Sequence, residues 1–255
     1  MNKKFLSIIV ILAVLIVGGA VALSFFLGPI VKTGMETVGP KITQVSIKVD
    51  AVDLSLLTGS AKIKNLVVGN PEGYKSPQAI SVGSAAVGIN PLSVLSDKIV
   101  IRSVRVEAPV IDFEGNPFSG NNLNTILKNV NAATKSSGPA PTNAPAKAAN
   151  KPGKKLEVDE FVITGAKVNF NGVTLPLPDI HLTDLGKGSD GLTAADLTKR
   201  VLDALTSACV KAVAGAATDV GKNVEQVGKD LGKSVGSNVS NLGKSLGGLF
   251  KKSTN

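Results

Sequence analysis

Residues 69–79 read GNPEGYKSPQA, placing Glu72, Tyr74 and Lys75 in a glycine-flanked loop between two alternating apolar runs. A loop of this kind could cradle an anion or present a carboxylate for acid/base work. It follows a strand pattern but opens no helix pattern, and it lacks the GK[ST] ending of a phosphate loop. Asn70-Pro71 and Glu72-Gly73 instead supply a fixed φ and a permissive glycine, the ingredients of consecutive turns. We read a corner, with Tyr74, the only tyrosine, packed beneath it. His181 is the only histidine, flanked in DIHLTDLG by Asp179 and Asp184. With no second histidine, no cysteine at ligand spacing and no HExxH, it ends a strand rather than holding zinc. Cys209 is the only cysteine, so no internal disulfide forms, and its helical context makes it a small buried side chain. No GxSxG elbow or SxxK occurs. The expectation is a protein that is not an enzyme, with no metal and no cofactor.

The charge distribution narrows the partners. The net charge is +9, but between Ile42 and Glu114 seven basic residues balance seven acidic ones. The excess lies in Lys128 to Lys155, with six lysines and no acid, and from Asp219 onward, with six lysines against three acids. A nucleic-acid binder places its basic residues on a folded face beside stacking aromatics. Only 4% of residues are aromatic and there is no tryptophan, so nucleic acid is not an expected partner.

Phe5 to Val31 carries no charged residue, and its only polar side chains are Ser7 and Ser24. Stopped at Phe26, before Gly28-Pro29, it would span roughly 33 Å as a helix, enough for a hydrocarbon core of about 30 Å. Ala20-Val21-Ala22 has the spacing of a cleavage site, yet the apolar run continues beyond it, which favours an uncleaved anchor. Lys3 and Lys4 mark the cytoplasmic end, so residues 1–31 read as cytoplasmic tail and transmembrane anchor.

Residues 42–130 read as the first part of an antiparallel β domain. Val45, Ile47 and Val49, then Val52 and Leu54, alternate with a slip of one residue near Ala51, the mark of a bulged strand. Further strands carry Ile63, Leu66 and Val68; Ile80, Val82, Ala85, Val87 and Ile89; and Ile99, Ile101, Val104 and Val106. Pro109 precedes a short, edge-like fifth strand, Val110 to Glu114. The opposite face carries Lys48, Asp50, Lys62, Lys64, Arg102 and Arg105, and Asn122 to Val130 reads as a short helix partly covering the apolar one. Residues 131–155, rich in Ala, Pro, Lys, Ser and Asn, read as a disordered basic linker. Residues 156–190 resume the strand pattern and complete the sheet, and Thr164-Gly165-Ala166-Lys167-Val168 echoes Thr58-Gly59-Ser60-Ala61-Lys62-Ile63.

With the N-terminal anchor, SAKIKNLVVGNPEGYKSPQAISVGSAAVGIN, VLSDKIVIRSVRVEAPVIDFE, GNNLNTIL and LPDIHLTDLG, the chain resembles AsmA-like proteins of the bacterial envelope over roughly residues 1 to 190. The resemblance implies a single-pass protein of the bacterial inner membrane with the bulk of its chain in the periplasm. It also implies a curved antiparallel sheet whose apolar concave face holds lipid acyl chains, with a role in phospholipid trafficking or envelope integrity. The chain is too short for a groove crossing a periplasm, leaving membrane lipid and other envelope proteins as partners. The inward apolar set for lipid is Val45, Ile47, Val49, Ile63, Val82, Val87, Ile99, Ile101 and Val104, although slips near Ala51 and Asn65 can invert which parity faces inward.

Residues 192–252 read as an amphipathic helical tail. Thr193 caps a helix whose Leu197, Val201, Leu205 and Ala208 line one side. From Val220 to Leu249 apolar residues recur at helical spacing, but Gly221, Gly228, Gly232, Gly236, Gly243 and Gly247 each cost about 1 kcal/mol relative to Ala. This stretch gains order from a surface: anionic headgroups facing Lys222, Lys229, Lys233, Lys244, Lys251 and Lys252, or the open sheet itself. The expected fold class is mainly β with α: an N-terminal transmembrane helix, a curved antiparallel sheet forming an AsmA-like groove, and C-terminal amphipathic helices. The expected function is non-catalytic, binding lipid or acting as a scaffold in envelope maintenance. The alternative is a closed β-sandwich, similar to the late-embryogenesis type, that binds a protein partner and no lipid.

Overall fold

The computed structural model describes residues 3–136, 154–188 and 190–216, with backbone alone over 3–16 and at 20, 23, 24 and 136. The chain divides into units 1–210 and 211–255; of the second, the described residues 211–216 are helical. The six C-terminal lysines proposed for headgroup contact lie outside the described residues.

Strands β1 (Ile47–Lys48), β2 (Ala51–Ser55), β3 (Ser60–Gly69), β4 (Gln78–Ile89), β5 (Lys98–Glu107) and β6 (Val110–Asp112) precede a small hairpin, β7 (Gly115–Asn116) with β8 (Gly120–Asn121). After helix α2 (Asn122–Ser136) come β9 (Lys155–Thr164), β10 (Lys167–Phe170), β11 (Val173–Pro176) and β12 (Ile180–Leu185). Ten of these strands form one sheet. Its registers reduce to six lanes: β1 with β2, β3, β4, β5 with β6, β9 with β10, and β12 with β11.

The sheet is mixed, which corrects the wholly antiparallel expectation. β5 pairs parallel with β9, and β6 parallel with β10. The reason is topological: the chain leaves β6 through the β7–β8 hairpin and α2, and such a crossover returns a strand in the same direction. β6 is likewise not an edge strand, since it lies between β4 and β10. Nor does the sheet close. Its outer lanes remain edges, and among the described residues no second large sheet faces it, so the closed sandwich is corrected as well.

A fault crosses every lane at one level. Lys64 pairs with Ser84 and Leu66 with Val82, skipping Asn65 and Gly83. Glu107 pairs with Thr164 and Val110 with Lys167, skipping the Ala108-Pro109 and Gly165-Ala166 dipeptides. Asn65, Ala108 and Gly165 have φ of 47°, 46° and 62°, the left-handed conformation. One such residue inverts the in-out alternation, so on β3 the apolar positions change from Ile63 to Leu66, and on β5–β6 from Val106 to Ile111. Because all lanes invert together, one face stays apolar from end to end. Pro109 is tolerated at the fault because its carbonyl still accepts from Lys167 N at 2.9 Å while the ladder asks no donor of it.

The last two lanes are one long hairpin turning at Asn171-Gly172, whose φ values of 49° and 80° are those of a two-residue turn matched to strand twist. This turn was legible as Asn-Gly between alternating residues. The strands after residue 154 do rejoin the same sheet, but the echo between residues 58–63 and 164–168 goes no further than a shared φ of 62° at Gly59 and Gly165: Gly59 lies in the β2–β3 turn, whereas Gly165 lies inside a kinked lane.

Helix α1 (Lys3–Thr43) runs unbroken through Gly28-Pro29 and Pro40, past the expected end at residue 31 and into the expected strand region. Docking explains the extension. Lys32 Nζ donates to the Val49 carbonyl and, at 3.1 Å, to that of Asp50, while Glu36 Oε1 accepts from Val49 N at 2.9 Å. These bonds satisfy backbone groups that the edge lane would leave open. Gly28 is the closest approach: a Cβ there would stand 2.2 Å from the Val52 carbonyl oxygen, whereas one on Gly34 would meet nothing within 4 Å. In an isolated helix either Gly→Ala change gains about 1 kcal/mol. Here Gly34→Ala is expected to raise the melting temperature of the detergent-purified protein and Gly28→Ala to lower it, by about 1–3 kcal/mol of overpacking. A rise for both would contradict the docked helix.

Helix α2 extends to Ser136 instead of ending at Val130, because Asn131 to Lys135 includes two alanines and Thr134 Oγ1 donates back to Asn131 O. Its first turn is capped by Asn121, whose Oδ1 accepts from Asn124 N at 2.9 Å. Leu123, Ile126 and Val130 point inward. The third helix, α3 (194–216), begins two residues after Leu192, which bridges to Leu156 in the sheet. Thr193 and Asp196 form a reciprocal capping box. The buried side of its sheet-associated part is Ala195, Leu202, Leu205, Thr206, Ala208 and Cys209, rotated from the expected Leu197-Val201-Leu205-Ala208 stripe.

Candidate functional site

The fault divides the apolar face into a more sealed half and a half-open one, though not sharply: on the half-open side Ala85, Val106 and Ile163 next to the fault and Val158 beyond it are buried, and on the sealed side Leu66, Val68 and Ile80 are half-buried. On the sealed side, Val45, Val49, Val82, Ile111, Ala166 and Val168 are all buried, with Ile111 and Val168 fully so. α2 closes this half: Asn122 Nδ2 donates to Asp112 O at the end of β6, and Asn129 Nδ2 donates at 3.0 Å to Thr43 O at the end of α1. Three of the residues read as inward, Val45, Val49 and Val82, therefore belong to the core, and Ile47 lies half-buried at its margin.

The other half carries Ile63, Val87, Ile99, Ile101 and Val104, each half-buried. Register puts them on one surface: Ile63 pairs with Ala85, Val87 with Val104, and Ile101 with Val158. Ile101 and Val104, three residues apart, stay on one face because β4 and β5 shift register between Gly88 and Ile89. Leu54, Phe161 and Leu182 share the surface through their pairs with Ala61, Val104 and Phe161. Sequence reasoning missed these three, although the alternation of Leu54 with Val52 was legible.

Two clefts bound this half. One, of about 470 Å³, lies between α1 and β2, with Val21, Phe25 and Pro29 opposite Val52, Leu54 and Leu57, and with Lys32 and Asp50 at its polar end. The other, of about 360 Å³, lies between Leu182 and Leu185 of β12 and Arg200, Asp203, Ala204 and Ser207 of α3. The reverse face is polar: Lys62, Ala86 and Arg105 are exposed and in register, and Lys64 Nζ meets Asp53 at 2.6 Å.

The residues with chemical potential are committed elsewhere. The 69–79 loop does cradle an anion, and it is the protein's own Glu114. Oε1 accepts from Asn70 Nδ2 at 2.9 Å and Ser76 N at 2.6 Å, and Oε2 accepts from Lys75 N at 2.8 Å. Burial works to raise the pKa of this carboxyl, but donation from Ser76, Lys75 and Asn70 outweighs it, and the net shift is downward from 4.5. Nothing local in the sequence signals a partner 38 residues away. Tyr74 pairs with Thr125 Oγ1 at 3.1 Å, tying the corner to α2. Glu72 is exposed. His181 is exposed on the polar face, opposite Val162; Asp179 accepts from Gly165 N, and Asp184 pairs with Lys187 at 2.8 Å. Cys209 is fully buried, and burial pushes its thiol up to about 12, far from a reactive thiolate. Among the described residues no cluster of His, Cys, Asp and Glu is arranged to hold a metal ion.

The fold is an open, mixed sheet with a largely apolar face, partly under helix, and with a long helix locked along its first edge. The chain belongs to the AsmA family, whose model matches residues 4–177, and membership brings an association with the cell envelope. No curated protein and no solved structure matches the chain. Among the described residues no helix is long and apolar enough to cross a membrane; most of the uncharged run from Phe5 lies where the backbone alone is described.

Proposed function

We propose that the protein is a non-catalytic, single-pass inner-membrane protein, facing the periplasm, whose half-open apolar surface holds the acyl chains of a phospholipid. The observation that carries this reading is the division at the fault. Val82 and Ile111 are buried, whereas Ile63, Val87, Ile101 and Val104, on the same face, keep part of their surface accessible. A contiguous, partly uncovered apolar surface is what a lipid-binding site requires. Anchoring rests on the uncharged run Phe5–Val31, whose backbone is helical throughout.

The dimensions support holding a lipid rather than conducting one over distance. From the fault to the β2–β3 turn, β3 offers residues 60–64, roughly 17 Å of strand at about 3.3 Å each. The trough fits one lipid beside the membrane and bridges nothing. Native mass spectrometry of the detergent-purified full-length protein tests this. Phospholipid is expected to survive gas-phase activation that strips detergent; a spectrum of bare protein under the same conditions would reject lipid binding.

A further inference from the structure

We propose that the end of the sheet carrying the β2–β3 turn and the short 3-10 helix Pro91–Leu95 rests on the bilayer that α1 enters, with Leu57, Leu92 and Leu95 inserted at the lipid interface. The proposal relies on the anchor reading and adds a second membrane contact to it.

The docking of α1 sets the height of the bilayer. Toward its N-terminus the helix climbs the edge lane one residue after another: Gly39 against Ile47, Glu36 at Val49, Gly28 against Val52, then Val21 and Phe25 sharing a cleft with Leu54 and Leu57. The uncharged run begins at Phe5. At about 1.5 Å per residue, a hydrocarbon core of about 30 Å entered at Phe5 ends near Ser24. Ser24 lies between Val21 and Phe25, the residues level with Leu57. The membrane surface therefore coincides with the β2–β3 turn, where Leu57 is half exposed at 52%.

The 3-10 helix sits against the same turn. Ile89 N donates to Gly59 O at 2.6 Å, and a Cβ on Gly59 would stand 2.9 Å from Pro91 Cγ. Its polar residue faces inward: Ser93 is buried, donating to Asn90 O at 2.6 Å and accepting from Val100 N at 2.9 Å. Its leucines face outward, Leu92 at 80% and Leu95 at 88% exposure. This inverts the usual arrangement of a surface helix and holds two leucines in the open by fixed hydrogen bonds. Lys154 Nζ donates to Val94 O, which sets an ammonium at the tip within reach of anionic headgroups. Apolar side chains rimmed by a lysine and adjoining a membrane helix suit insertion about 5–10 Å deep.

The chain lacks tryptophan, so single reporters can be placed on a silent background. Full-length protein carrying Leu92→Trp, Leu95→Trp, Val17→Trp or Phe118→Trp is reconstituted into phosphatidylethanolamine–phosphatidylglycerol vesicles with acyl chains brominated near the headgroup. Phe118, 79% exposed in the β7–β8 hairpin at the opposite end of the sheet, is the apolar control. Leu92→Trp and Leu95→Trp are expected to be quenched several-fold more strongly than Phe118→Trp, with blue-shifted emission. Quenching of Val17→Trp with none at residues 92 and 95 would overturn the tip contact and leave the anchor standing. Absence of quenching at Val17 would overturn the anchor, and the tip contact with it.

Discussion

Ile101→Glu is expected to yield folded protein that carries little or no phospholipid, whereas Ile111→Glu, on the same face beyond the fault, is expected not to accumulate as folded protein at all. Ile111 is fully buried. A carboxylate there would be unpaired in a closed apolar layer, a cost of several kcal/mol that consumes much of a typical stability of about 5–15 kcal/mol. Ile101 is half-buried, so a glutamate there keeps contact with water and forfeits only part of a burial term of about 2 kcal/mol. Its charge would nevertheless stand in the path of any acyl chain lying along the half-buried Val87, Val104 and Phe161. Circular dichroism and thermal melts report the folded fraction, and lipid extraction with mass spectrometry reports cargo. Wild-type lipid recovery from Ile101→Glu would count against the trough; a well-folded Ile111→Glu would show that the sealed half is not sealed.

The second large effect concerns the corner. Glu114→Ala removes the acceptor for Asn70 Nδ2, Lys75 N and Ser76 N together, and detaches the loop that Tyr74 and Asn122 tie to α2. With hydrogen bonds to a charged acceptor each worth about 1.5–3 kcal/mol, and water able to replace part of them at this half-buried site, the expected loss is about 2–4 kcal/mol. For a chain of this size that corresponds to roughly 5–15 °C in Tm. The pH dependence has a definite sign. The folded-state pKa is depressed, so the stabilisation is complete above the ordinary value of 4.5 and is lost as pH falls through the lower folded-state value. The gap in Tm between wild type and Glu114→Gln, which does not titrate, is therefore expected to be constant near neutrality and to narrow below about pH 4.5. A gap that widened on acidification would contradict the cradle.

What could be read from the residues in order was whatever depends on near neighbours. The slips in alternation at Ala51 and Asn65, the cap of α3 at Thr193 and the corner at Asn70-Pro71 are local: each follows from two to four adjacent side chains and the backbone they permit. The uncharged run from Phe5 and the mainly β character belong to the same class, as does the Asn171-Gly172 turn that was legible but unread. The tertiary structure alone decided that the slips fall at one level in every lane and keep a single apolar face, because register is a relation between strands as distant in sequence as Val106 and Ile163. It alone carried α1 through Pro29, since bonds from Lys32 and Glu36 to the edge lane outweigh the local preference to stop. It also divided nine apolar candidates into core and surface. Val82 and Val87 are both apolar residues of β4, and only the packing around them, on opposite sides of the fault, separates a buried residue from a half-buried one.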